Sequence, residues 1–61
     1  MFKKLLLRRL ARKLGQAVRL GVLTPEESAD VLAEAGAWDW MAIIQLIMLI
    51  AELIVEFLNQ D

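Results

Sequence analysis

The chain has 61 residues, of which 59% are hydrophobic, and its 7 basic and 8 acidic side chains give a net charge of −1. It contains no Cys and no His, which excludes disulfide bonds, thiol chemistry, the usual zinc sites and the commonest general base, so we expect no enzyme, no bound metal and no cofactor. A chain of this length forms one domain at most, and residues 1–61 are predicted to be a single small helical domain whose limited core needs support from a partner or a membrane.

Residues 2–20 are predicted to form an amphipathic helix. Apolar side chains recur at helical spacing from Leu6 to Val18, and basic side chains occupy the opposite side. All the acidic residues of the chain follow Thr24. We therefore expect the basic surface to face something acidic, which is the later helices, a neighbouring copy, a lipid surface or a nucleic acid. The helix contains every basic residue of the chain: Lys3, Lys4, Arg8, Arg9, Arg12, Lys13 and Arg19.

A second helix is predicted over residues 25–35. Thr24 is a favourable N-cap, Pro25 suits the first helical position, and Glu27 stands where it completes a capping box. Gly36 is expected to end the helix. Its apolar stripe is weak, so the helix is predicted to pack on a neighbour.

The turn between these helices resembles that of SHOCT-type short helical domains. That family carries a Gly–hydrophobic–hydrophobic–Thr–x–Glu–Glu turn between two short helices, and residues 20–27 read LGVLTPEE, followed by Val31 and Leu32. The resemblance covers residues 14–32 and departs at Ser28, where the family commonly has an aromatic residue. It implies a small helical module linked to assembly or to membrane-associated proteins, and it carries over no catalytic residue.

A long apolar helix is predicted over residues 39–59, with Asp39 as its N-cap. Of residues 40–58, 16 of 19 are apolar, and they follow a heptad repeat with isoleucine at both a and d, which favours trimers or tetramers in parallel coiled coils. Glu52 and Glu56 are interpreted as part of a solvated line rather than as an acid–base pair. The predicted oligomer or membrane face consists of the a/d seam Trp40, Ile43, Ile47, Ile50, Ile54 and Phe57, with Met41, Ile44 and Met48 from the next stripe.

A bilayer is the leading environment for this helix. Residues 40–58 extend about 28 Å, enough to cross a hydrocarbon core, and the cost of two glutamates nearly balances the gain from the aliphatic side chains. We therefore predict a non-enzymatic assembly protein that associates with a membrane and self-associates through its third helix. Because every Lys and Arg precedes that helix, the N-terminus is predicted to be cytoplasmic if the helix inserts, with the basic helix on an anionic surface.

The main alternative is a cytoplasmic, soluble homo-oligomer, either a trimer or tetramer or a subunit of a larger assembly, with the third helix as its core. The basic helix would then meet acidic side chains of the second helix or of another copy. Nucleic acid is a weaker alternative, because the basic helix has few groups that read bases and the acidic helices repel a polyanion. The predicted partners are therefore further copies of the chain and an anionic lipid surface.

Overall fold

The computed structural model describes residues 2–60, which form three helices and no strand. α1 spans Phe2–Leu20, α2 spans Pro25–Ala35 and α3 spans Trp40–Leu58. The prediction of an all-α fold with a long apolar C-terminal helix is confirmed. Met1 lies outside the described residues, as does Asp61, one of the eight acidic residues in the charge split.

The end of α1 is fixed by a glycine turn. Gly21 has φ +82°, in the left-handed region that glycine adopts without steric cost. The amide of Val22 donates to the carbonyl of Ala17 at 2.9 Å, and that of Gly21 donates to Val18 at 3.1 Å. These two bonds form a Schellman motif, which satisfies carbonyls that the last turn of a helix leaves without partners.

The starts of α2 and α3 are both capped by side chains. The Thr24 hydroxyl accepts from the amide of Glu27 at 3.1 Å, and the Glu27 carboxylate accepts from the amide of Thr24 at 2.9 Å, which completes the predicted capping box. Asp39 accepts from the amide of Ala42 at 2.9 Å, so Asp39 is the N-cap and α3 begins one residue later.

α1 lies at the centre of the packing and contacts both other helices. Its leucine stripe meets one stripe of α3, and the shorter α2 adds mainly small or partly buried side chains. Leu10, Leu14 and Ile43 are the largest side chains that are fully buried. The complete set of buried side chains among residues 2–60 is apolar: Leu6, Leu10, Leu14, Ala17, Ala35, Ile43, Ile50 and Ile54.

α1 and α3 run side by side in the same direction. The rings of Phe2 and Trp40, at the two helix starts, meet edge to face with centroids 5.9 Å apart. Leu20 and Leu58, at the two helix ends, line one depression. Each residue of α1 therefore lies roughly level with the α3 residue 38 positions later in the chain.

α2 returns the chain from the end of α1 to the start of α3. The Lys3 ammonium group, near the start of α1, donates to the carbonyl of Gly36 at 2.8 Å, just past the end of α2. The resulting molecule is a slab of 39 × 20 × 13 Å. α2 packs on one side of the α1–α3 pair, which leaves the two sides of the pair unequal.

Core packing predicts a large difference between two leucines of α1. Leu10 is fully buried whereas Leu5 is 50% exposed. Leu10→Ala is expected to lower the free energy of unfolding by about 2–5 kcal/mol, because it leaves a cavity between α1 and its neighbours. Leu5→Ala, the matched control on the same helix, is expected to cost far less. Denaturant unfolding followed by circular dichroism measures both, and equal losses would contradict this packing.

Candidate interaction surface

The predicted a/d seam of α3 is divided between the core and the surface. Ile43, Ile50 and Ile54 are buried against α1 of the same chain, and Ile47 is partly buried beside them. The two ends of the seam, Trp40 and Phe57, are exposed. The middle of the seam, which we assigned to another chain or a bilayer, is thus covered by α1. The physical reason is that the leucine stripe of α1 offers a matching apolar surface tethered in the same molecule.

Most of α3 nevertheless remains uncovered. Only 17% of an 18-residue window within Trp40–Leu58 is buried, and α3 is long and apolar enough to cross a membrane by length and composition. A helix at the core of a soluble protein would be mostly buried. The large exposed hydrophobic residues of the described chain are Phe2 and Leu5 on α1, and Trp40, Met41, Met48, Leu49, Leu53, Val55, Phe57 and Leu58 on α3.

On one side of the α1–α3 pair, two depressions lie between the helices, and both are lined by residues of α1 and α3 alone. Near the helix starts, a depression of about 350 Å³ lies between the helices, and near their ends a second one measures about 440 Å³. We call this side the open face. The residues that line its two depressions are Phe2, Leu5, Leu6, Arg9, Gln16, Arg19 and Leu20 from α1 with Ile44, Ile47, Met48, Ile54 and Leu58 from α3.

The opposite side of α1 is occupied by α2. There Leu32 of α2 lines a depression together with Lys4, Leu7 and Arg8 of α1. Because successive helical residues are rotated by about 100°, adjacent positions diverge: Arg8 lies on the α2 side and Arg9 on the open face. The same divergence occurs on α3.

Met48 and Leu49 belong to two different apolar flanks of α3. Met48 is 59% exposed and lines the open face, whereas Leu49 is 52% exposed and lines a different depression of about 380 Å³ beside Trp38. The polar line of Gln45, Glu52 and Glu56 lies between the two flanks on the helical wheel. α3 therefore presents two distinct apolar surfaces in addition to its buried stripe.

The basic side chains of α1 do not bond to the acidic side chains of α2. Within residues 2–60, four hydrogen bonds involve side chains, and none of them joins a basic group to a carboxylate. Lys3 bonds to a backbone carbonyl and is partly buried, as is Lys13. The other five basic side chains are exposed: Lys4, Arg8, Arg9, Arg12 and Arg19.

Among residues 2–60, no acidic side chain lines a depression of the open face. Four acidic side chains are exposed on α2, and Asp39 is used as the cap of α3. Glu52 and Glu56 flank Ala51 and Val55 at the outer edge of α3. No group of three or more acidic residues could hold a metal ion within the part of the chain that the structure describes. The open face thus combines exposed apolar side chains with cationic ones.

Comparisons with known protein families, curated proteins and solved structures find no match to this chain. Its function is therefore inferred from its own residues, and the resemblance to SHOCT-type domains stays a prediction. The sequence interpretation omitted Phe2 and Leu5 from the candidate surface. The sequence nevertheless indicates them. With 100° of rotation per residue, both lie outside the core stripe of α1, and both are too large and apolar for a solvated face.

Proposed function

We propose that this protein is a small non-enzymatic assembly protein that associates with a membrane and self-associates through α3. The observation that carries the proposal is the exposure of large apolar side chains on α3. In the window of α3 that could span a bilayer by length and composition, only 17% is buried. Soluble monomers rarely leave a continuous apolar surface of this kind in water. A lipid layer and a second copy of the chain are the two surroundings that remove it.

The position of α1 favours association at the interface over spanning. If α3 crossed a bilayer while packed on α1, Arg9 and Arg12 would lie level with Ile47 and Ile50, near the centre of the hydrocarbon. Each charge there costs about 2.5–3.5 kcal/mol. If α1 detached instead, Leu10, Leu14 and Ile43 would lose their present contacts. A protein that lies in the headgroup region avoids both costs.

Self-association is assigned to the flank of α3 that includes Leu49 and Leu53. Both side chains are exposed, and the neighbouring depression beside Trp38 could receive a side chain from another copy. With Ile43, Ile50 and Ile54 held by α1, this flank replaces the a/d seam as the surface for a partner. The same flank supports the alternative function, a soluble homo-oligomer in which α3 is covered by other copies rather than by lipid.

Fractionation of cells that express the chain tests membrane association. We expect the protein in the membrane fraction at low salt and its release by detergent, because exposed apolar side chains hold it there in addition to charge. Recovery in the soluble fraction without detergent, as a discrete oligomer, would contradict membrane association and support the alternative.

Mass measurement by analytical ultracentrifugation tests self-association. The detergent-solubilised protein is expected to sediment at a multiple of its 6.9 kDa chain mass, and Leu49→Glu is expected to shift it to the monomer, since a carboxylate would be desolvated at the contact. Met48→Glu, with the same change on the other flank, is the control and is expected to keep the wild-type mass. A monomeric wild type would rule out self-association.

A further inference from the structure

We infer that the open face is the lipid-docking surface and that the protein lies flat on an anionic bilayer, with α1 and α3 both parallel to the membrane plane. This inference rests on the proposed membrane association and specifies the side of the molecule that makes contact. The open face is the side of the α1–α3 pair that α2 leaves uncovered.

The shape of the pair suits a planar surface. α1 and α3 lie side by side over their whole lengths, because Phe2 meets Trp40 at the helix starts and Leu20 lies beside Leu58 at the helix ends. Lying flat places both helices at the same depth. α2, with its exposed acidic side chains, then faces the water, on the side away from the lipid.

Charge complementarity selects lipid as the occupant. Arg9 lines the depression near the helix starts and Arg19 the one near their ends, and no carboxylate of residues 2–60 lines either depression. The guanidinium groups can reach anionic headgroups while Phe2, Leu5 and Met48 enter the acyl boundary. Interfacial helices bind by burying apolar side chains at the boundary of headgroups and acyl chains and by attracting anionic lipids with Lys and Arg, and the open face supplies both kinds of side chain. A second copy would bring its own arginines to the same surface and be repelled.

Two pairs of variants are matched in the charge that they introduce. Arg9→Glu and Arg8→Glu make the same change in net charge, but only Arg9 lies on the open face. Met48→Glu and Ala33→Glu each add one carboxylate at an exposed apolar position, and Ala33, on α2, lies outside both the open face and the flank assigned to self-association. Circular dichroism spectra identical to that of the wild type establish that each variant is folded.

Binding to vesicles of phosphatidylglycerol and phosphatidylcholine is measured by co-sedimentation, with vesicles of phosphatidylcholine alone as the comparison. The wild type is expected to bind the anionic vesicles more tightly. Arg9→Glu and Met48→Glu should each weaken that binding by about tenfold or more, and Arg8→Glu and Ala33→Glu by about threefold or less. Equal effects within each pair would overturn the assignment of the open face while leaving membrane association intact.

If the wild type binds neither kind of vesicle, the proposed function itself is wrong. That result differs from equal effects within each pair, which would overturn only the assignment of the open face. Infrared dichroism on oriented anionic bilayers provides the orientation. Helix axes parallel to the bilayer plane are expected, and an upright α3 would overturn the inference. If Met48→Glu dissociates an oligomer in the absence of lipid, the open face is a contact between copies and the inference is wrong.

Discussion

The parallel contact between α1 and α3 is the interaction on which the rest of the structure depends. Leu10 and Leu14 of α1 and Ile43 of α3 are fully buried there, and they account for the largest enclosed side chains of the molecule. Two helices of one chain can run parallel only if the segment between them brings the chain back along the length of the first helix. α2 and its two links supply that return, and the caps at Thr24 and Asp39 fix where each helix begins.

This contact determines which surfaces remain for partners. It buries the isoleucine stripe of α3, so an assembly through α3 has to use one of the remaining flanks. It also turns the basic surface of α1 outward beside exposed apolar side chains, rather than toward the carboxylates of α2. Arg9 and Arg19 thereby line the open face together with apolar groups, whereas Lys4 and Arg8 lie on the α2 side. Four acidic side chains are exposed on α2, and Glu52 and Glu56 lie on α3.

Local signals in the sequence were sufficient to predict the helices. The glycine turn at position 21, the capping box at Thr24 and the cap at Asp39 act over six residues or fewer, and the observed bounds of α1 and α2 agree with those predicted. The core stripe of α1 was equally clear, because its apolar positions from Leu6 to Ala17 have charged neighbours on the other side of the helix.

The partner of each α3 stripe could not be predicted in the same way. α3 is apolar around most of its circumference, so periodicity alone does not distinguish the stripe that meets α1 from those that stay exposed. The offset between α1 and α3 is a tertiary property, set by the length of α2 and its links. For that reason Met48 and Leu49 are equivalent by composition, and only the packing assigns them to different surfaces.

The most direct test of this account is a nuclear magnetic resonance measurement of contacts between the rings of Phe2 and Trp40. Their centroids are 5.9 Å apart, and the contact exists only while α1 and α3 run in parallel at the observed offset. We expect nuclear Overhauser effects between these rings both in water and in anionic bicelles, because the pair is predicted to dock on lipid without separating. Loss of these effects in bicelles while α3 stays helical would show that α3 leaves α1 to enter the membrane, and would contradict the account.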